Sequence, residues 1–384
     1  MKLLFKPATI FFLLISTAAI LALTKPAKEP VAKAVPKIQA AILLDVSNSM
    51  DGLIEQAKAQ LWNMVNTMGK AKCDGDVLPQ IEIALYEYGR SSNDAKQGYV
   101  KQVNSFITNL DSLSENLFNL TTNGGDEYCG HVIYSSINEL KWDVAPENYK
   151  VIFIAGNEDF LQGDVQYIKA CNEAKQKGVI VNTIYCGDKM QGIREHWNLN
   201  AECGSGSYTN INQDAKMEEI PTPYDSMIYV MNDKLNGTYL AYGYAGYSSS
   251  MKQVKMDGLN STMSKSAGIK RVAAKSNSQV YKNGEWDLVD KVAYDSIGFV
   301  NMSKEQLPDS LRNKTKDEIK KIVEEKSKQR ASVQQEIITL NKQRDVYIAA
   351  EKAKRANSKN EQTLETEVEK IIKAQARKHN MKIE

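Results

Sequence analysis

The chain has 384 residues, of which 42% are hydrophobic and 25% are charged, and its formal net charge at pH 7 is +2. This length and apolar content exclude wholesale disorder and a small disulfide-rich scaffold. The near-zero charge gives no reason to expect a nucleic-acid partner. The charge is uneven, however, because residues 38–313 carry 25 basic and 34 acidic side chains, whereas residues 314–384 carry 18 basic and 12 acidic ones.

The N-terminus combines a short basic stub with an apolar run from Ile10 to Leu23. A run of this length is shorter than the roughly 20 residues that cross a bilayer, which favours a removed signal peptide over a permanent anchor within residues 1–24. Residues 25–37 are rich in Pro, Ala and Lys and predict an extended tether. We therefore expect an exported protein, either periplasmic or anchored in the membrane and facing the periplasm.

Short apolar runs alternate with helical patterns from residue 38 to about residue 235. The predicted strands are 38–45, 81–88, 151–155, 179–185 and 207–211, and the predicted helices are about 53–68, 107–120, 129–142, 163–177, 190–202 and 222–235. This alternation predicts an α/β fold with a doubly wound, mostly parallel six-stranded sheet flanked by helices. In such folds the ligand site lies at the carboxyl ends of the central strands.

The first predicted strand ends in Asp45-Val-Ser47-Asn-Ser49, which directs one carboxylate and two hydroxyls to that edge. Hard oxygen ligands suit Mg²⁺ or Ca²⁺, although Asp and Ser are also common helix caps. At the end of a buried first strand, this turn resembles the metal-ion-dependent adhesion site of von Willebrand factor type A (VWA) domains. The resemblance covers roughly residues 38–235 and implies a protein-binding module whose cation accepts an acidic side chain from a partner.

Two loops depart from the pattern of the VWA family, in which a Thr before the third helix and an Asp after the fourth strand complete the site. Aligning the Gly-Gly of the first loop places Asp126 at the Thr position, with Thr122 as the alternative. In the second loop Gly156 or Asn157 occupies the Asp position, and Glu158 follows.

The resemblance therefore implies a divalent-cation site with altered charge, formed by Asp45, Ser47, Ser49, Asp126 and Glu158. Extra carboxylates would satisfy the ion from within and weaken its attraction for a partner carboxylate, which favours a structural or calcium-preferring role. The alternative is a degenerate site in which Asp45 and Ser47 only cap the first helix.

The five cysteines have neither CxxC nor zinc-site spacing. On the expected fold, Cys129 begins the third helix and Cys186 ends the fifth strand, so both lie at the ligand face and predict a Cys129–Cys186 disulfide. The alternative is five unpaired thiols. The chain has no nucleophile elbow, P-loop, dinucleotide-binding or zinc-protease motif, and we expect no enzymatic activity.

The C-terminal part is harder to interpret. Residues 236–312 predict a small α+β appendage with a hairpin at Lys282-Asn-Gly-Glu285. Residues 313–384 predict a capping box at Thr315-Lys-Asp-Glu318, a helix over about 316–356, a break at 357–360 and a second helix. These helices form either a hairpin packed on itself or on the body, or a coiled-coil arm that binds a partner.

These patterns together predict a non-enzymatic, cation-dependent protein-binding module of the cell envelope, whose protein partner is unidentified. The alternative is a structural or assembly component that acts through a basic C-terminal arm and has a degenerate metal site. The N-terminal segment and the basic arm are the candidates for association with an anionic membrane surface.

Overall fold

The structure, a computed structural model, describes residues 35–212, 219–354 and 364–383. Within these ranges the strands are β1 (Lys37–Asp45), β2 (Ala71–Lys72), β3 (Gln80–Tyr88), β4 (Lys101–Ile107), β5 (Tyr149–Gly156), β6 (Ile180–Cys186), β7 (Ser205–Ile211) and β8 (Lys382–Ile383). The helices are α1 (Asp51–Met68), α2 (Leu110–Phe118), α3 (Cys129–Glu139), α4 (Tyr167–Gln176), α5 (Lys189–Arg194), α6 (Trp197–Cys203), α7 (Asp225–Asn236), α8 (Gly246–Met263), α9 (Lys265–Ser276), α10 (Leu288–Tyr294), α11 (Ser296–Val300), α12 (Lys316–Lys354) and α13 (Leu364–Ala376). The predicted leader, most of the tether and the break at 357–360 lie outside the described residues.

Six strands form one sheet in the order β4-β3-β1-β5-β6-β7. The strands β3, β1, β5, β6 and β7 run parallel to one another, and β4 runs antiparallel to β3. The predicted fold class, a doubly wound and mostly parallel six-stranded sheet flanked by helices, is confirmed. The edge strand β4 was not predicted, because its residues are exposed or half-buried and it therefore lacks a clear apolar pattern.

Helices cover both faces of the sheet. The central strands β1 and β5 are buried along their whole length except at Lys37, which is partly exposed. Apolar side chains of α1 and α2 form the core on one face, and those of α3, α4 and α6 form the core on the other. This two-sided burial explains why both strands read as continuous apolar runs.

The C-terminal helix α13 belongs to the first of these cores. Its buried apolar residues are Leu364, Val368, Ile371, Ile372 and Ala376. Gln375 donates to Asn182 Oδ1 at 2.7 Å, while its own Oε1 accepts from Asn182 Nδ2 at 3.1 Å and from the Tyr149 hydroxyl at 2.9 Å. After α13, β8 pairs antiparallel with β2. Of the predicted alternatives, α13 therefore fits a helix packed on the body and not a coiled-coil arm, because its apolar face covers the sheet.

The long helix α12 also packs on the body, against α7, α9 and α10. It begins as predicted, because the Glu318 carboxylate accepts from the Thr315 backbone at 2.7 Å and the Thr315 hydroxyl accepts from the Glu318 backbone at 3.3 Å. Midway along it, the buried Arg330 forms ion pairs at 2.7 Å with Asp287 and Asp290. Of the predicted alternatives, α12 therefore fits a helix packed on the body.

The segment 236–312 is helical, which corrects the predicted α+β appendage. Its β-structure is limited to one isolated bridge between Ala241 and Asp287. At the predicted hairpin, the backbone of Asn283 accepts hydrogen bonds from Trp286 and Asp287, as in a helical turn. Within the described residues, none of the helices is sufficiently long and apolar to span a membrane.

A buried ionic network joins this helical segment to the sheet domain. Arg271 of α9 is fully buried and contacts Asp111 of α2 at 2.7 Å and Asp257 of α8 at 2.6 Å. Its guanidinium lies 4.7 Å from the centre of the Trp62 ring on α1. Lys275, also fully buried, contacts Asp257 at 2.7 Å. Because each buried charge has an opposite partner, the network fixes α8 and α9 against α1 and α2.

If α13 is part of the core, truncating its buried face should destabilise the whole protein. We expect Ile372→Ala to lower the free energy of unfolding by about 3 kcal/mol, the usual effect of emptying a fully buried isoleucine site. The matched control is Lys370→Ala on the exposed face of the same helix, for which we expect a change below about 0.5 kcal/mol. Urea denaturation of the two variants measures both values, and equal effects would contradict the packing of α13.

Candidate functional site

The predicted Asp-x-Ser-x-Ser turn lies at the carboxyl edge of the sheet. Asp45 is the last residue of β1, and its Oδ1 accepts from the Ser47 backbone at 2.7 Å. The hydroxyls of Ser47 and Ser49 lie 3.2 Å apart. Ser47 precedes a short 3-10 turn, but its side chain makes no cap hydrogen bond, so helix capping does not explain the position of its hydroxyl. The structure thus brings together the three residues of the predicted motif.

Glu127, and not the predicted Asp126, faces this turn. Its side chain is 6% exposed, and its carboxyl group is near enough to Asp45 and Ser47 for both to affect its pKa. Asp126 is exposed, and its Oδ2 accepts from the Tyr128 hydroxyl at 3.3 Å. The ligand position predicted from the glycines of this loop, Asp126, is therefore one residue before the one that faces the turn, Glu127.

The close approach of the loop to β3 explains this difference. A Cβ atom on Gly125 would lie 2.6 Å from the carbonyl oxygen of Gly89 and from the backbone nitrogen of Ser91. The same loop is held by a backbone hydrogen bond from Asn123 to Val46. Gly125 therefore rests directly on the neighbouring backbone, and Glu127, two residues later, is the loop carboxylate that is buried.

Two carboxylate oxygens in this cluster are buried without a hydrogen-bond donor, Asp45 Oδ2 and Glu127 Oε2. Burial and, after it, the adjacent Asp45 raise the pKa of Glu127 to about 9. Burial also raises the pKa of Asp45, but the backbone N–H of Ser47 favours its charged form. In the absence of a cation, the proton shared by the two carboxyl groups therefore resides mainly on Glu127.

The predicted Glu158 lies at the rim of the cluster. Its side chain is exposed, and its negative charge raises the pKa of both Asp45 and Glu127. Its backbone carbonyl accepts from the Trp197 indole at 2.8 Å. The neighbouring Asn157 is closer to the turn, because its Oδ1 accepts from the Ser49 hydroxyl at 3.4 Å.

This set of oxygens suits a hard divalent cation. The part of the chain that the structure describes contains no group of three or more His, Cys, Asp or Glu side chains able to hold a metal. A cation here would instead use two carboxylates together with hydroxyl and amide oxygens. The two buried oxygens receive no hydrogen bond from outside the carboxyl pair, which fits such an ion because a cation would take the place of the proton between them.

The predicted disulfide between Cys129 and Cys186 is wrong. Both residues are buried and both are free thiols. The Cys129 thiol donates to the Tyr88 hydroxyl at 3.7 Å, and that hydroxyl donates to the Ala155 carbonyl at 3.0 Å. Cys129 is therefore directed toward β3 and not toward Cys186 at the end of β6.

Comparison with known proteins concerns the fold alone. No family model and no curated protein matches the chain. Among solved structures, a VWA domain from Catenulispora acidiphila is 16% identical, with a TM-score of 0.35 over 46% of this chain and 39% of that one. An aerotolerance-related membrane protein from Bacteroides fragilis is 15% identical, with a TM-score of 0.32 over 46% of this chain and 93% of that one.

A third similar structure is proximal thread matrix protein 1 of the mussel byssus, with a zinc-occupied MIDAS motif. It is 13% identical, with a TM-score of 0.35 over 46% of this chain and 42% of that one. The chain thus spans less than half the length of the mussel protein. The strand order of the sheet, with helices on both faces, defines an α/β Rossmann-like fold of the VWA type.

The proton on Glu127 should make stability depend on pH when a chelator is present. The unfolded chain releases this proton near pH 4.5, whereas the native chain keeps it up to about pH 9. Stability should therefore fall as the pH rises through this window, by at most about 1.4 kcal/mol per pH unit. Glu127→Gln, which stays neutral, should reduce the slope, and Asp126→Asn should keep it. Urea denaturation at several pH values measures the slopes, and an unchanged slope in Glu127→Gln would contradict this assignment.

Proposed function

We propose that this protein is a non-enzymatic protein-binding module that holds a divalent cation, Mg²⁺ or Ca²⁺, at the carboxyl edge of its sheet. The proposed ligands are Asp45, Ser47, Ser49 and Glu127. The observation that supports this proposal most directly is the pair of buried carboxylate oxygens without a donor, beside two hydroxyls. A cation bound there would replace the shared proton and satisfy both oxygens.

The charge of the site bears on which partners it would accept. Asp45 and Glu127 together balance the two positive charges of the ion, so the ion retains little attraction for a further carboxylate. Glu158 adds a negative charge at the exposed rim. We therefore propose that the cation organises the loops and that the partner presents neutral or basic groups to them.

The location that fits this proposal is the cell envelope. The apolar run near the N-terminus favours export, with the folded part periplasmic or held at the membrane facing the periplasm. The alternative function, assembly through a free basic arm, loses support because α12 and α13 both pack on the body. We accordingly propose that the binding surface lies at the carboxyl edge of the sheet.

Cation binding should raise the melting temperature. A ligand at 100 times its Kd that binds only the native state adds about 2.7 kcal/mol of stability. For a chain of this size we expect an increase of several degrees with saturating Mg²⁺ or Ca²⁺ relative to chelator. Asp45→Ala and Glu127→Gln should abolish the increase, whereas Asp126→Asn, at the exposed neighbouring position, should keep it.

The size of the metal-induced shift within each variant is the quantity to compare, because it cancels any effect of the substitution on the metal-free protein. Absence of a shift with any divalent ion would contradict the proposed site. A melting-temperature shift that requires Asp126 but not Glu127 would instead support Asp126 as the ligand, as predicted from the sequence.

Protein binding is tested separately with the full chain immobilised and exposed to envelope extract. We expect specific partners to be retained in the presence of the cation, to be lost in chelator and with Glu127→Gln, and to be retained with Asp126→Asn. Chelation should weaken capture at least tenfold if the ion organises the binding surface. Retention that chelator and Glu127→Gln both leave unchanged would contradict a cation-dependent module.

A further inference from the structure

Two cysteines outside the candidate site lie side by side. Cys171 is on α4, and Cys203 is the last residue of α6, which packs against α4. The Cys171 thiol contacts the carbonyl oxygen of Asn200 at 3.6 Å, one helical turn before Cys203. The Cys203 thiol is near enough to raise the pKa of the Cys171 thiol.

We propose that Cys171 and Cys203 form a reversible disulfide by exchange with a small external disulfide. The two residues differ in exposure, because Cys171 is buried and Cys203 is partly exposed. Cys203 is therefore the thiol that an external reagent reaches first, and Cys171 is the resolving thiol. This inference is independent of the proposed cation site.

The thiol–disulfide exchange takes place in two steps. The thiolate of Cys203 attacks one sulfur of the external disulfide, forms a mixed disulfide and releases one thiolate of the reagent. The sulfur of Cys171 then loses its proton to solvent and attacks the Cys203 sulfur, which releases the second reagent thiolate. The external disulfide is reduced to two thiols, and the two cysteines are oxidised to one cystine.

Burial and the neighbouring thiol both raise the pKa of Cys171, so its thiolate is scarce at neutral pH. The second step should accordingly be the slower one. We therefore expect the mixed disulfide on Cys203 to accumulate early and then to convert into the internal disulfide.

The disulfide would join α4 to α6 at a distance from the candidate site. Cys203 ends α6 just before β7 begins, so it lies at the amino edge of the parallel sheet. Asp45 ends β1 at the carboxyl edge. Oxidation should therefore stabilise one helical layer without changing the ligands of the cation.

The experiment counts thiols in the full chain before and after oxidation. The reduced protein is incubated in its native state with oxidised glutathione, denatured, and alkylated with N-ethylmaleimide. We expect the number of adducts in the intact mass to fall from five to three, in keeping with the five cysteines of the chain. Tryptic digestion should yield one cross-linked species that joins residues 170–175 to residues 195–216.

Two variants keep the result interpretable. Cys203→Ser should give four adducts both before and after oxidation, whereas Cys73→Ser, the matched control at another partly exposed cysteine, should fall from four to two. Five adducts after oxidation, a cross-link between any other pair, or a glutathione adduct on Cys203 that never resolves would each overturn the proposal. The melting temperature of the oxidised wild-type protein should also exceed that of the reduced protein by several degrees.

Discussion

Because β1 and β5 are buried on both faces, the sheet requires helices on each side. One side is covered by α3, α4 and α6, which connect strands that lie near them in the sequence. The other side is covered by α1, by α2 and by α13, which comes from the far end of the chain. The α/β domain is therefore discontinuous in sequence, and its cover is incomplete without the C-terminal helix.

The intervening helices are held by charge as well as by apolar packing. Arg271 is shared between Asp111 and Asp257, and Asp111 also accepts the Tyr281 hydroxyl at 2.5 Å. Removing Arg271 would leave Asp111 without an oppositely charged partner, and removing Asp257 would leave Lys275 without one. Either change is far less favourable than removing an exposed pair. The uneven distribution of charge along the sequence also contributes to this packing. Basic residues of α12 pair with acidic residues of the body, as Arg330 does with Asp287.

Sequence patterns predicted those features that depend on local rules. The parallel strands, the Asp45 turn and the Thr315 capping box follow from apolar runs and cap chemistry, and each is found where it was predicted. The features that were missed depend on tertiary contacts. Neither the burial of α13 against a distant sheet nor the inward direction of Glu127 leaves a local signal, since both depend on which backbone segments meet.

Close backbone contact also explains why the loop after β5 departs from the pattern expected from the VWA resemblance. A Cβ atom at Gly156 would lie 2.5 Å from the Tyr88 hydroxyl and 3.1 Å from Asp45 Oδ2, so a carboxylate cannot occupy this position without displacing Asp45. The Asn157 amide reaches the turn instead, through Ser49. The loop after β5 therefore places no carboxylate next to Asp45. The carboxylate next to Asp45 is Glu127, from the loop before α3. Two buried carboxyl groups, Asp45 and Glu127, therefore lie together at this edge of the sheet in an arrangement that differs from the one expected from the resemblance.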